Sequence, residues 1–143
     1  MNDVLKDRLS VVTKLPLVRE YMATELLKLE PDCDIYDAVD FLLEHRISGA
    51  PVVSPDGELV GVLSEKDCLK LLASGAGHER PVGQVSDYMT TVAVTIPSSM
   101  DIYFAAGIFL KHVYRRLPVV DNGRLVGQIS RRDILKAISE RLR

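Results

Sequence analysis

Apolar and polar positions alternate most clearly between Tyr114 and Leu135, which reads YRRLPVVDNGRLVGQISRRDIL. Leu117 to Val120 and Leu125 to Ile129 are short apolar runs separated by Asp121-Asn122-Gly123. Asn-Gly between two such runs predicts a β-hairpin, because a tight hairpin turn needs positive φ and these residues adopt it at low cost. Beyond it, Ile134, Leu135, Ile138 and Leu142 follow a helical spacing. The pattern is strand, turn, strand, helix, with a polar Ser-x-x-Asp at the last junction.

The same pattern occurs earlier, from Ile47 to Leu69, ISGAPVVSPDGELVGVLSEKDCL. Placing Pro51 on Pro118 and Asp67 on Asp133 requires one extra residue in the Pro55-Asp56-Gly57 turn. Val52-Val53, Leu59-Val60-Gly61 and Ser64 then match as well. Upstream, Tyr21-Met22 falls on Tyr88-Met89, Thr24 on Thr91, and Asp34-Ile35-Tyr36 on Asp101-Ile102-Tyr103. This is a tandem duplication.

Each copy carries further elements. Leu26 to Leu29 and Val92 to Ile96 are short strand candidates. The stripes Ile35, Ala38, Val39, Leu42, Leu43 and Ile102, Ala105, Ala106, Phe109, Leu110 predict half-buried helices. Asp32 and Ser99 stand where N-caps would satisfy free backbone N–H groups. Short helical turns are expected at Val18 to Met22 and Val85 to Met89. The expected organisation is an N-terminal helical segment at 1–17, a first repeat at 18–73, a Gly-rich connector at 74–84 and a second repeat at 85–143. Each repeat is then β-α-β-β-α. A single copy of about 55 residues is marginal by surface-to-volume scaling. The fold class expected is α+β, with the two repeats packed sheet to sheet as a pseudo-twofold pair.

Composition narrows the function. The chain has 143 residues, 47% of them hydrophobic and 27% charged, as in an ordinary globular protein. No apolar run approaches the roughly 18 residues that a membrane span needs, and the charged start MNDVLKDRLS lacks the apolar centre of a secretory signal. Cys33 and Cys68 stand apart, without metal spacing, so a reduced, cytoplasmic setting is expected. The net charge of −2 disfavours a general nucleic-acid binder. Its distribution is uneven: residues 1–71 carry 8 Lys and Arg against 14 Asp and Glu, and residues 72–143 carry 10 against 6. Solvated surface accounts for this, and so does an anion site in the second half or a dimer pairing unlike halves. No P-loop, GxSxG or HExxH motif supports an enzyme, and no cofactor or metal is expected.

The two copies resemble a pair of CBS domains, named after cystathionine β-synthase, which together form a Bateman module. The resemblance rests on Tyr88-Met89-Thr90-Thr91, Arg116-Leu117-Pro118-Val119-Val120-Asp121, Leu125-Val126-Gly127 and Ser130-Arg131-Arg132-Asp133. In the first copy it rests on Tyr21-Met22, Pro51-Val52-Val53, Leu59-Val60-Gly61 and Ser64-Glu65-Lys66-Asp67. It covers about Val18 to Arg141. It implies a regulatory module that binds adenosine nucleotides in clefts between the repeats, forms a homodimer and reports to an unknown protein partner. The alternative is a module for dimerisation or protein interaction that needs no ligand.

The site residues follow from the same comparison. Ser64/Asp67 and Ser130/Asp133 are capping boxes as they stand. An Asp carboxylate there can also accept from both vicinal hydroxyls of a ribose, beside a helix N-terminus that favours phosphate. Arg115 and Arg116 are either exposed cations or phosphate contacts suited by guanidinium geometry, with Arg132 beside them. The first repeat has Ser48 and Gly49 in their places. By family geometry, the cleft with Ser130 and Asp133 takes its base wall from Leu27, Leu29, Ile47 and Ser48, and is the one favoured for a phosphorylated nucleotide. The cleft with Ser64 and Asp67 is walled by Val94 and Tyr114, and would hold a less charged adenosine compound or stay empty. Thr90 and Thr91 either touch the ligand or end a turn.

Overall fold

The computed structural model describes residues 15–74, 79–92 and 94–142. Residues 1–14 of the expected N-terminal helix and 75–78 of the expected connector lie outside them. The described chain contains α1 (Val18–Tyr21), α2 (Ile35–His45), β1 (Gly49–Val53), β2 (Leu59–Ser64), α3 (Glu65–Cys68) and α4 (Lys70–Ser74). It continues with α5 (Val85–Tyr88), α6 (Ile102–Lys111), β3 (Arg116–Asp121), β4 (Arg124–Ser130) and α7 (Arg131–Arg141). The fold is mixed helix and strand with two small sheets, β1-β2 and β3-β4.

The chain divides into two compact units. One is Glu25–Thr95 with Asn122–Leu125; the other holds the described residues of Met1–Thr24, Ile96–Asp121 and Val126–Arg143. In the first, β1 and β2 pair antiparallel from Gly49↔Ser64 to Val53↔Leu59, with a register shift between Val52 and Val53. Leu29, Ile35, Ala38, Leu42, Ala50, Val52, Leu63, Leu71 and Val85 form its core. Ile35, Ala38 and Leu42 share one face of α2, as the sequence stripe predicts. In the other unit, Ile102, Ala105 and Phe109 of α6 and Ile134 and Ala137 of α7 are the buried counterparts.

The second hairpin turns on Asn122 at φ 52° and Gly123 at φ 81°, the left-handed pair expected of Asn-Gly. Two details depart from the sequence reading. Among the described residues, which omit residue 93, the strand candidates at Leu26–Leu29 and Val92–Ile96 appear as single parallel bridges, Leu29↔Val52 and Ile96↔Val119. Leu29 N–H donates to Pro51 O at 2.9 Å and Val53 N–H donates to Leu29 O at 2.8 Å. The next bond upstream would need an N–H on Pro51, and the next downstream an N–H on Pro31; proline has none. In the second copy Pro118 imposes the same limit upstream, while Ser98 N–H turns to Asp121 Oδ1 at 2.9 Å.

The helix caps are also two residues later than Asp32 and Ser99. Asp34 accepts from Tyr36 N–H at 3.0 Å and Asp37 N–H at 3.3 Å. Asp101 accepts from Phe104 N–H at 3.0 Å. Asp32 and Ser99 instead fall inside turns closed by Cys33 N–H to Glu30 O at 3.2 Å and Met100 N–H to Pro97 O at 3.1 Å.

Candidate functional site

Both Ser-x-x-Asp junctions form where a strand runs straight into a helix. Ser64 Oγ accepts from Asp67 N–H at 3.1 Å, while Asp67 Oδ2 accepts from Ser64 N–H and Ser64 Oγ, both at 2.9 Å. Ser130 and Asp133 repeat the arrangement at 3.2, 2.8 and 3.0 Å. Each is a capping box that satisfies two otherwise orphaned N–H groups. The capping role consumes one carboxylate oxygen, Oδ2, and leaves the role of each Asp to the other.

Around Asp67 that second oxygen is occupied. Oδ1 accepts from Thr90 Oγ1 at 2.8 Å and from Lys70 Nζ at 3.1 Å. Asp67 is 5% exposed, and Lys70 Nζ also reaches Tyr88 O at 3.1 Å. Burial alone would raise the Asp67 pKa; the Ser64 N–H, the Thr90 hydroxyl, the Lys70 ammonium and the Ser64 hydroxyl together outweigh it and hold the carboxyl below the usual range. Sequence reasoning left Thr90 undecided and did not single out Lys70. The signal available was that Thr90 aligns with Ala23, so the two copies differ at that place.

Around Asp133 the second oxygen is open. Among the described residues no donor reaches its Oδ1, and the side chain is half-buried. The surroundings are basic. Arg131 N–H donates to Arg115 O at 3.3 Å, and Arg131 Nε donates to Tyr114 O at 3.1 Å. Arg131 and Arg132 open the 11-residue α7, Arg115 precedes β3 and Arg116 opens it, and all four are exposed. The matching positions of the first copy are Ser48, Gly49, Glu65 and Lys66.

The residues expected to wall the ligand separate by burial. Leu29, at 5% exposed, belongs to the core. At Asp67 the protein's own donors engage both carboxylate oxygens. Leu27 and Ser48 are exposed, Ile47 is half-buried against the core, and Val94 and Tyr114 are half-buried.

Two histidines and both cysteines have local structural surroundings. His45 Nδ1 lies 2.9 Å from Phe41 O at the end of α2, and His112 caps the end of α6. Burial, then neighbouring carboxylates, push the Cys33 and Cys68 thiols up, which favours the unreactive form. Among the described residues, no group of three or more His, Cys, Asp or Glu could hold a metal. No helix of the described residues is long and apolar enough to cross a membrane.

A duplicated strand-strand-helix unit with a capped acidic junction in each copy defines the class. The chain belongs to the CBS domain family, whose model matches twice, at residues 18–74 and 85–140. Among solved structures, it is similar to CBSX2 of Arabidopsis thaliana, crystallised in complex with AMP. That likeness has 30% identity and a TM-score of 0.74, covering 90% of this chain and 99% of the other. It is also similar to the CBS domain pair of protein MJ0100, solved with 5-methylthioadenosine and S-adenosyl-L-methionine, at 25% identity and a TM-score of 0.67 over 85% of this chain and 98% of the other. Among curated relatives, protein MJ1225 of Methanocaldococcus jannaschii is 29% identical over 85% of this chain, which spans 42% of that relative's length.

Proposed function

We propose that this chain is a regulatory module, not an enzyme, that binds an adenosine nucleotide through Asp133. The observation that carries the reading is Asp133 Oδ1, which no donor among the described residues reaches, at a capped helix N-terminus opened by Arg131 and Arg132. A carboxylate oxygen without a donor suits vicinal ribose hydroxyls, and a helix N-terminus with guanidinium groups suits phosphate. Ser130, Arg115, Arg116 and Arg132 complete the polar set. The adenosine compounds held by CBSX2 and the MJ0100 domain pair support the ligand class.

Binding would act by population shift, favouring one arrangement of the chain and changing the surface shown to a partner protein. Homodimerisation fits an apolar stripe on α6 and α7. Leu110 is 87% exposed and Ile138 45%, with Tyr103 and Leu142 continuing it. The thiols, unreactive as placed, suit a cytoplasmic setting.

Thermal melts with AMP, ADP, ATP and S-adenosylmethionine test the reading. A ligand at ~100 times its Kd stabilises the fold by about 2.7 kcal/mol, a clear upward shift. No shift with any of them would favour the ligand-independent interaction module instead.

A further inference from the structure

The two acidic junctions share the Ser-x-x-Asp box and differ at the second carboxylate oxygen, which Thr90 and Lys70 reach at Asp67 and no donor among the described residues reaches at Asp133. An isolated backbone bridge sets Thr90 opposite Val62 in one unit, and the equivalent bridge sets Ala23 opposite Gln128 in the other. Thr90 Oγ1 donates to Asp67 Oδ1 at 2.8 Å; alanine has no hydroxyl to offer Asp133. Lys70 corresponds to Lys136, so an ammonium is encoded at both junctions and the hydroxyl at only one.

An ionised carboxylate offers about four lone-pair sites. Asp67 fills them with Ser64 N–H, Ser64 Oγ, Thr90 Oγ1 and Lys70 Nζ, all within 3.1 Å. A ribose diol arriving at Asp67 Oδ1 must displace two protein donors and leave them to find other acceptors. At Asp133 it displaces none among the described residues. We infer that Thr90 is a specificity-determining residue: its hydroxyl closes the Asp67 junction to ribose, so that each chain takes one adenosine ligand, at Asp133. This rests on the proposed reading of Asp133 and adds to it which junction is shut and by what.

Calorimetric titration with AMP counts the sites. The expected stoichiometry is one per chain for the wild type and for Asp67→Asn, with binding weakened roughly tenfold or more by Asp133→Asn. Thr90→Ala should admit a second equivalent that Thr90→Ala combined with Asp67→Asn loses again. Thr90→Ser, which keeps the hydroxyl, should stay at one. Two equivalents in the wild type, or one in a folded Thr90→Ala variant, would overturn the inference. A ligand-free readout separates this from failure of the binding reading itself. Followed by NMR, the Asp67 carboxyl should titrate at higher pH in Thr90→Ala and not in Thr90→Ser. If the wild type takes no AMP yet the carboxyl moves as described, the closure stands and the binding reading falls. A carboxyl that does not move sinks the closure.

Discussion

The Thr90 hydroxyl donates to Asp67 Oδ1 at 2.8 Å, joining the start of the second repeat to the helix junction of the first. A buried carboxylate is thereby kept ionised by donors rather than by water. Its folded pKa lies below the unfolded value of about 3.9. The stabilisation is therefore fully present above that unfolded value and lost as pH falls through the folded one. Thr90→Val removes one donor and should destabilise the fold by about 1.5 kcal/mol at pH 7, the low end for a hydrogen bond to a charged group because Thr90 is exposed. The gap between wild type and variant should narrow as the solution is acidified below pH ~4. Urea titrations across that pH series check it, and a constant gap would mean that the bond does not depend on the charge.

Gly127 tests the backbone approach behind the open junction. A Cβ there would stand 2.5 Å from Met22 Sδ and 2.9 Å from Ala23 O. The methionine tip can move, but the carbonyl belongs to the Ala23–Gln128 bridge, whose two bonds measure 2.8 and 3.0 Å. Gly127→Ala should cost about 1–3 kcal/mol as an overpacking change, read as a lower urea midpoint. An unchanged midpoint would show that the bridge is looser than described.

The caps give a paired test. Asp101→Ala should destabilise by about 1 kcal/mol, because it frees Phe104 N–H at the head of α6. Ser99→Ala should change the melting temperature little, since Ser99 sits in the preceding turn. The reverse order would restore the cap assignment made from spacing.

That assignment illustrates what the residues reveal in advance. Asn122-Gly123, the α2 stripe and the two Ser-x-x-Asp boxes are local signals, carried by φ preference, helical period and three-residue spacing, and all were legible. The caps were misplaced because Asp32 and Asp34 both qualify by residue type, and only the turn bond from Cys33 to Glu30 decides between them. The shortened strands depend on prolines opposite them, Pro51 and Pro118, which matter once the parallel partner is known. At the candidate site, residue identities were visible but saturation was not. Asp67 and Asp133 look alike until Thr90 and Ala23, 23 and 110 positions away, are brought beside them.

The apolar stripe on α6 and α7 carries the dimer proposal. Leu110→Glu places a charge on a side chain that is 87% exposed, so folding should be spared while association is lost. Sedimentation should report a dimer for the wild type and a monomer for the variant, with similar melting temperatures at low concentration. A monomeric wild type would remove the homodimer from the account.

In the proposed reading, the Asp133 oxygen that no donor among the described residues reaches receives the sugar of an adenosine nucleotide. The dissociation constants of AMP for wild type and Asp133→Asn test it most directly, since asparagine preserves the cap acceptor and removes the charge. The predicted result is saturable wild-type binding that weakens roughly ten- to a hundredfold in the variant, with little change in its unliganded melting temperature. Equal constants for the two proteins would contradict it.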